Sequence, residues 1–305
     1  MTGQLALTCF LAKTAGVQFT AVACFSSFFS YFITTSVIDF NASLKHMKLF
    51  YHTLLLLALG TGMRAHGQMA ASRFNVLVLA ENGGHHVRFS AAAGKWLDQL
   101  ATDSSFSVTY INNTDSITGA FLSRFRLFIQ LDYPPYNWTP EAAAGFTDYI
   151  ETGKGGWIGL HHATLLGEFD GFKLWDWFWK FMGRVRFKSY IPDFADGTVR
   201  VEDSTHPVMK GLPKAFRIEK EEWYTYDRSP RAHARVLANV DESSYHPDSD
   251  RKMGDHPVIW SNEKMKARNI YIFMGHSPDL FQNPIYVRLF RNAIFWAAGS
   301  SAKNQ

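Results

Sequence analysis

Between residues 74 and 161 the chain alternates short apolar runs with segments of helical periodicity. Phe74 to Ala80 (FNVLVLA) is nearly continuous in apolar residues, the pattern of a strand buried on both faces. Phe89, Ala92, Ala93, Trp96, Leu97 and Leu100 then recur at helical spacing. Phe106 to Ile111 alternates as a second strand, and a brief helix is expected near Ile117 to Leu122. Arg126 to Asp132 (RLFIQLD) reads as a third strand, stopped by Pro134 and Pro135. Thr139-Pro140-Glu141 opens another helix, with Thr as its cap and Pro at its first position; Phe146, Tyr149 and Ile150 form its inner face. Gly153, Gly155 and Gly156 end it, and Gly156 to His161 (GWIGLH) is a fourth strand. Such alternation predicts an α/β fold with a parallel, doubly wound sheet and helices on both faces. Ligands on these sheets sit beyond the carboxyl ends of the strands. Those ends are Glu81–His86, Asp132–Tyr136 and His161–Thr164.

The second half is richer in strand patterns. Thr198–Glu202, Phe216–Tyr226, Ala234–Val240, Pro257–Ser261 and Asn269–Met274 all read as strands. Pro284 to Ala298 is an amphipathic closing helix, carrying Val287, Leu289, Phe290, Ile294, Phe295 and Trp296. No internal repeat or linker is evident, so residues 68–305 are read as one domain with added β-rich segments.

The front of the chain differs. Met47 begins a segment resembling a secretory signal: Met-Lys, the apolar stretch Leu54–Leu59, then Ala65 and Gly67 where a signal peptidase would read small residues. Residues 47–67 are therefore expected to be a signal peptide, with a mature start at Gln68 and export to the periplasm or exterior. Residues 1–46 form an apolar extension, in which Ala15 to Ile38 carries no charge and is long enough to cross a bilayer. It is either a membrane anchor or a stretch upstream of the true initiator Met47; the complete signal-like segment after Met47 favours the second reading.

Composition narrows the chemistry. The 305 residues carry a net charge of +4 with no dense Lys/Arg block after the leader, so no nucleic-acid partner is expected. The two cysteines, Cys9 and Cys24, both precede Met47. The domain thus has no disulfide, thiolate ligand or cysteine nucleophile.

Five blocks occur in a telling order: Gly155–Thr164 (GGWIGLHHAT), Val199–Pro207 (VRVEDSTHP) with Gly211-Leu212-Pro213, Glu221–Tyr224 (EEWY), Asp255–Trp260 (DHPVIW) and Tyr271–His276 (YIFMGH). Together they resemble the ThuA-like (trehalose-utilisation) family over about Asn75 to Gly299. The resemblance implies a fold similar to class I glutamine amidotransferases, with a flavodoxin-like sheet, and a role in sugar metabolism. In amidotransferases a cysteine occupies the sharp turn after the strand that is Trp157–Leu160 here. This chain has His161 there, which rules out thiol attack at that position.

His161 is the first candidate for catalysis, because a neutral imidazole at the ligand edge of the sheet can act as acid, base or metal ligand. His162 beside it is a candidate for substrate binding. The resemblance places Glu222 at the family's Glu-Trp-Tyr position, as a carboxylate complementary to His161, with Tyr224 two residues on to hydrogen-bond a sugar. It also points to His86, after Gly83-Gly84-His85, and sets His256 and His276 beside the same sheet edge. His276 is expected to take part in catalysis, and His86, His162, Tyr136, Tyr224 and His256 to bind substrate. A divalent metal such as zinc, held by His161, Glu222 and His256, is one option, although no His-x-x-x-His spacing supports it. His206-Pro207 reads as structural. The expected activity is carbohydrate processing on a glycoside or oxidised (keto) sugar by hydrolysis, elimination or isomerisation. The alternative is a non-catalytic sugar-binding module. A small carbohydrate is the expected partner, and a homo-oligomer is possible.

Overall fold

Among the described residues, eleven strands and five α-helices follow one another in the order β1 (Asn75–Leu79), α1 (Val87–Ser104), β2 (Ser107–Ile111), α2 (Gly119–Leu122), β3 (Leu127–Gln130), α3 (Pro140–Thr152), β4 (Gly156–Leu160), α4 (Asp176–Phe181), β5 (Phe187–Tyr190), β6 (Ala195–Val201), β7 (Ala215–Glu221), β8 (Tyr224–Tyr226), β9 (Arg235–His246), β10 (Pro257–Ser261), β11 (Asn269–Ile272) and α5 (Pro284–Ala297). The structure, a computed structural model, describes residues 72–81, 86–132, 135–169 and 171–299. These belong to one compact unit, Met69–Gln305. The apolar extension, the signal-like segment, both cysteines, His85 and Tyr133 lie outside the described residues. No helix among the described residues is long and apolar enough to cross a membrane.

Nine strands form one sheet in the order β2-β1-β3-β4-β11-β10-β9-β6-β7. The first five are parallel, and their order is that of a flavodoxin-like sheet, with β11 as the fifth strand. Val76–Leu79, Leu127–Ile129, Ile158 and Ile272 are fully buried, which is why these strands read as continuous apolar runs. Each such side chain contributes about 1.5–3 kcal/mol of burial free energy. From β11 the sheet continues with antiparallel strands through β10, β9, β6 and β7. The β-rich second half is therefore an extension of the same sheet.

Helices cover both faces. On one, Trp96 of α1 stacks on Phe290 of α5 at 5.2 Å. On the other, Phe146 of α3 meets Phe178 and Phe181 of α4. The α3 start is as expected, with Thr139 Oγ1 accepting from the Ala142 N–H and Pro140 at the first position.

Two expectations are corrected. Phe216–Tyr226 is not one strand. Alternation holds through Phe216 and Ile218, then fails at Lys220, whose φ is +51°. The bend ends β7, turns Glu221 inward, and sends Tyr224–Tyr226 to pair with β5 in a separate two-stranded sheet. The aromatic-rich segment before β6 also contains α4 and β5, neither of which was expected.

His206 is structural, as read. Its Nδ1 accepts from the Val208 N–H at 3.3 Å, capping the short turn Pro207–Met209, and its ring lies against Trp296 at 4.6 Å. Burial, aided by the Arg235 guanidinium, pushes its pKa below the ordinary 6.5. The folded state then binds this proton less tightly than the unfolded chain. The stability it contributes is complete above the unfolded value and is lost as pH falls below it. The fall in thermal midpoint between about pH 7.5 and 5.5 is therefore expected to be smaller in His206→Asn, which keeps a capping acceptor but does not titrate.

Candidate active site

The carboxyl end of β4 carries a strained turn. His161 has φ +32°, in the left-handed region that non-glycine residues rarely adopt. The turn is held by its own carbonyl, which accepts from Thr164 Oγ1 at 3.0 Å and from the Tyr271 hydroxyl at 2.8 Å. Close packing of the neighbouring segment requires glycine: a Cβ on Gly275 would lie 2.9 Å from that of His161. The sharp turn expected after this strand is present, with an imidazole at its apex.

The His161 ring is fully buried and its two nitrogens face different partners. Nδ1 lies 2.9 Å from the Phe273 carbonyl, an acceptor only, so this nitrogen carries the proton and donates. The other nitrogen, Nε2, faces Glu222 Oε2, 3.3 Å away. The same carboxylate oxygen lies 3.4 Å from His276 Nδ1. The His86 ring completes the group, with its centre 5.1 Å from that of His161 and 4.6 Å from that of His276. Among the described residues, one ligand atom from each of His86, His161, Glu222 and His276 falls within a 4.8 Å span.

The electrostatics follow from this packing. Burial would raise the Glu222 pKa, but the adjoining His161 and His276 outweigh it and hold the carboxyl well below its usual range. Burial lowers His276, yet Glu222 and Glu221 raise it overall. Glu221 is fully buried and its pKa is raised by desolvation, against the pull of His161 and His276. Its Oε1 accepts from the Glu222 N–H at 3.1 Å and its Oε2 from the Gly275 N–H at 3.2 Å. Oε1 also lies 3.8 Å from His161 Nδ1. Glu221 thus ties the segments after β4, β7 and β11 together.

The remaining expected residues fall in three places. Tyr224 packs its ring 4.4 Å from that of His161, and burial together with the Glu222 charge keeps its hydroxyl protonated, with a pKa well above 10. His162 stacks on His86 at 3.7 Å. Both therefore border the group. His256 does not join it, contrary to the expected metal set. It lies behind Phe273, at 6.4 Å between ring centres, with Nδ1 2.9 Å from Glu242 Oε1 and 3.1 Å from the Tyr245 hydroxyl. Tyr136 is also elsewhere: its hydroxyl donates to the Leu165 carbonyl and its ring stacks on Phe172. Glu221 was not singled out from the sequence. The signal was available, because Lys220 puts a charge where alternation demands an inward apolar residue.

A second acidic pair sits at the ends of β1 and β3. Burial, and then the Asp132 charge, raise Glu81 to about 7, while Asp132 is buried and accepts from Ser90 Oγ at 2.9 Å.

Comparison with known proteins agrees with the fold. The family model described as ThuA, trehalose utilisation, matches residues 75–297. A solved structure from Bacteroides uniformis ATCC 8492, described as ThuA-like, is 28% identical, covers 77% of this chain and 94% of its own, and superposes with a TM-score of 0.68. Another ThuA-like structure, from Parabacteroides merdae ATCC 43184, is 19% identical over 76% of this chain and 92% of its own, with a TM-score of 0.58. No curated protein sequence matches. With five sequence blocks, a flavodoxin-like sheet and a family match running from β1 to the last turn of α5, the chain belongs to the ThuA trehalose-utilisation family.

Proposed function

We propose that this protein is a carbohydrate-processing enzyme that acts on a glycoside or keto sugar through a divalent transition metal held by His86, His161, His276 and Glu222. One observation carries the reading: the spacing of the donors around Glu222. In a tetrahedral site with bonds of about 2.0–2.1 Å, ligand atoms stand roughly 3.3 Å apart. His161 Nε2 and His276 Nδ1 are already 3.3 and 3.4 Å from Glu222 Oε2. All four donor atoms lie within 4.8 Å of one another.

The surroundings suit that role. The Phe273 carbonyl holds the Nδ1 proton of His161, so an ion that displaces the Nε2 proton meets a lone pair turned toward the group, as metal-binding histidines require. Three imidazoles and one carboxylate match zinc or a similar ion. Such an ion supplies Lewis-acid polarisation of a sugar oxygen when bound. Tyr224 supplies a protonated hydroxyl for hydrogen bonding to substrate, and Glu221 keeps the ligand-bearing segments in register. The sugar class rests on the family's trehalose-utilisation description. Export, supported by the signal-like segment from Met47, belongs to the same proposal.

A product assay on a panel of disaccharides and their keto derivatives tests this. Turnover is expected to vanish with a chelator and return with added zinc, manganese or cobalt. Turnover unaffected by complete chelation would leave His161 and Glu222 as an acid–base pair and remove the metal from the account. Saturable sugar binding without product would support the binding-module alternative.

A further inference from the structure

The segment from Ile191 to Ala195 joins β5 to β6 and carries an anomaly. Phe194 has φ +37°, and the residue is 39% exposed. A bulky residue in the left-handed region is a true outlier, and a phenyl ring left partly open to solvent recovers only part of its burial free energy. Glycine or asparagine would satisfy this backbone with less strain. Packing accounts for the covered part of the ring and leaves its solvent-open part unexplained.

The strain is imposed from both sides by one residue. The Ile191 N–H donates to the Trp223 carbonyl at 2.9 Å, and Trp223 Nε1 donates to the Ala195 carbonyl at 2.7 Å. Trp223 is fully buried, stacked on Phe273 at 5.3 Å with a 9° interplanar angle. It also stands between Glu222 and Tyr224 in the chain. The scaffold that sets Glu222 and Tyr224 therefore also sets Phe194, and such over-determination is what allows strain to persist. The result is a phenyl ring held 4.7 Å from the His276 ring and still open to solvent.

We propose that Phe194 is a stacking platform for one face of a pyranose ring, placing the sugar's hydroxyl-bearing edge at the His276–Glu222 group. This rests on the sugar-processing reading above and names its substrate-orienting residue. A pyranose presents C–H groups on its faces and hydroxyls at its rim. The C–H groups meet the electron-rich face of an aromatic ring, while the rim hydroxyls reach polar groups such as Glu222 and Tyr224.

The test is calorimetric titration of the purified protein with trehalose and with glucose, comparing wild type, Phe194→Ala, Phe194→Trp and Phe194→Gly. Phe194→Ala and Phe194→Gly are expected to weaken binding by roughly tenfold or more, and Phe194→Trp to stay within about threefold of wild type. Phe194→Gly should keep its metal and its fold, because relief of the positive φ offsets part of the burial lost with the ring and of the added freedom of the unfolded chain. Wild-type affinity in Phe194→Ala would overturn the platform and leave the sugar-processing reading intact. Loss of metal in Phe194→Ala would overturn it too, by showing that the ring serves only to hold His276. Failure of the wild type to bind either sugar would overturn both the platform and the substrate class.

Discussion

His161→Ala is expected to lose its metal and to reduce turnover by more than about 100-fold, the upper end of losses seen when only a supporting residue of a metal site is removed. The imidazole is the hub of the group. It reaches Glu222 with one nitrogen and the Phe273 carbonyl with the other, and its ring packs against His86, His276 and Tyr224. Truncation removes one of four donors and leaves the Phe273 carbonyl without this partner, a cost of about 1–3 kcal/mol. The backbone turn itself should survive, since Thr164 and Tyr271 bind the His161 carbonyl and not its side chain. Retained circular dichroism with lost metal and lost turnover is the expected combination. Full turnover in this variant would remove His161 from the chemistry.

The largest effect on stability is expected away from the site, at Gly156→Ala. A Cβ there would stand 2.1 Å from the Ala297 carbonyl oxygen and 2.6 Å from its carbon. These are backbone atoms of the closing helix α5, so no side chain can rotate out of the way. Either β4 must leave its register between β3 and β11 or α5 must shift off the sheet. Overpacking of this kind costs about 3 kcal/mol or more, which lowers the thermal midpoint of a domain this size by roughly 6–12 °C. Gly119→Ala is the control, because nothing lies within 4 Å of a Cβ at that position. A Gly156→Ala protein melting within about 2 °C of wild type would contradict the tight β4–α5 packing.

The parallel half of the sheet was legible because β1, β3 and β4 are buried on both faces and so show uninterrupted apolar runs. Proline and glycine marked their ends without ambiguity. The segment around α4 and β5 was not legible, because Trp175, Trp177, Phe178 and Phe181 pack on one another from a short helix whose period barely repeats. Lys220 marked a break in the alternation, but the two glutamates after it look alike in sequence. Only the left-handed backbone at Lys220 decides that Glu221 turns into the core while Glu222 reaches the histidines.

The site residues divide in the same way. His161 and His276 directly follow buried strands or their extensions, so position along the chain located them at the sheet's ligand edge. His256 also neighbours that edge, yet its ring turns toward Glu242 on β9, behind Phe273. Adjacency in sequence says which strand end a residue occupies and nothing about which side of it the ring takes. Phe194 could not be found at all without the backbone, since an aromatic residue in a loop looks ordinary until its φ and exposure are known.

The central claim is that three histidines and Glu222 form a metal site. The most direct measurement is elemental analysis by mass spectrometry of the purified wild-type protein after incubation with a divalent-metal mixture and removal of unbound ions. The account predicts about one transition-metal ion per chain, falling to background in Glu222→Ala. Background metal in the wild type under the same conditions would contradict it.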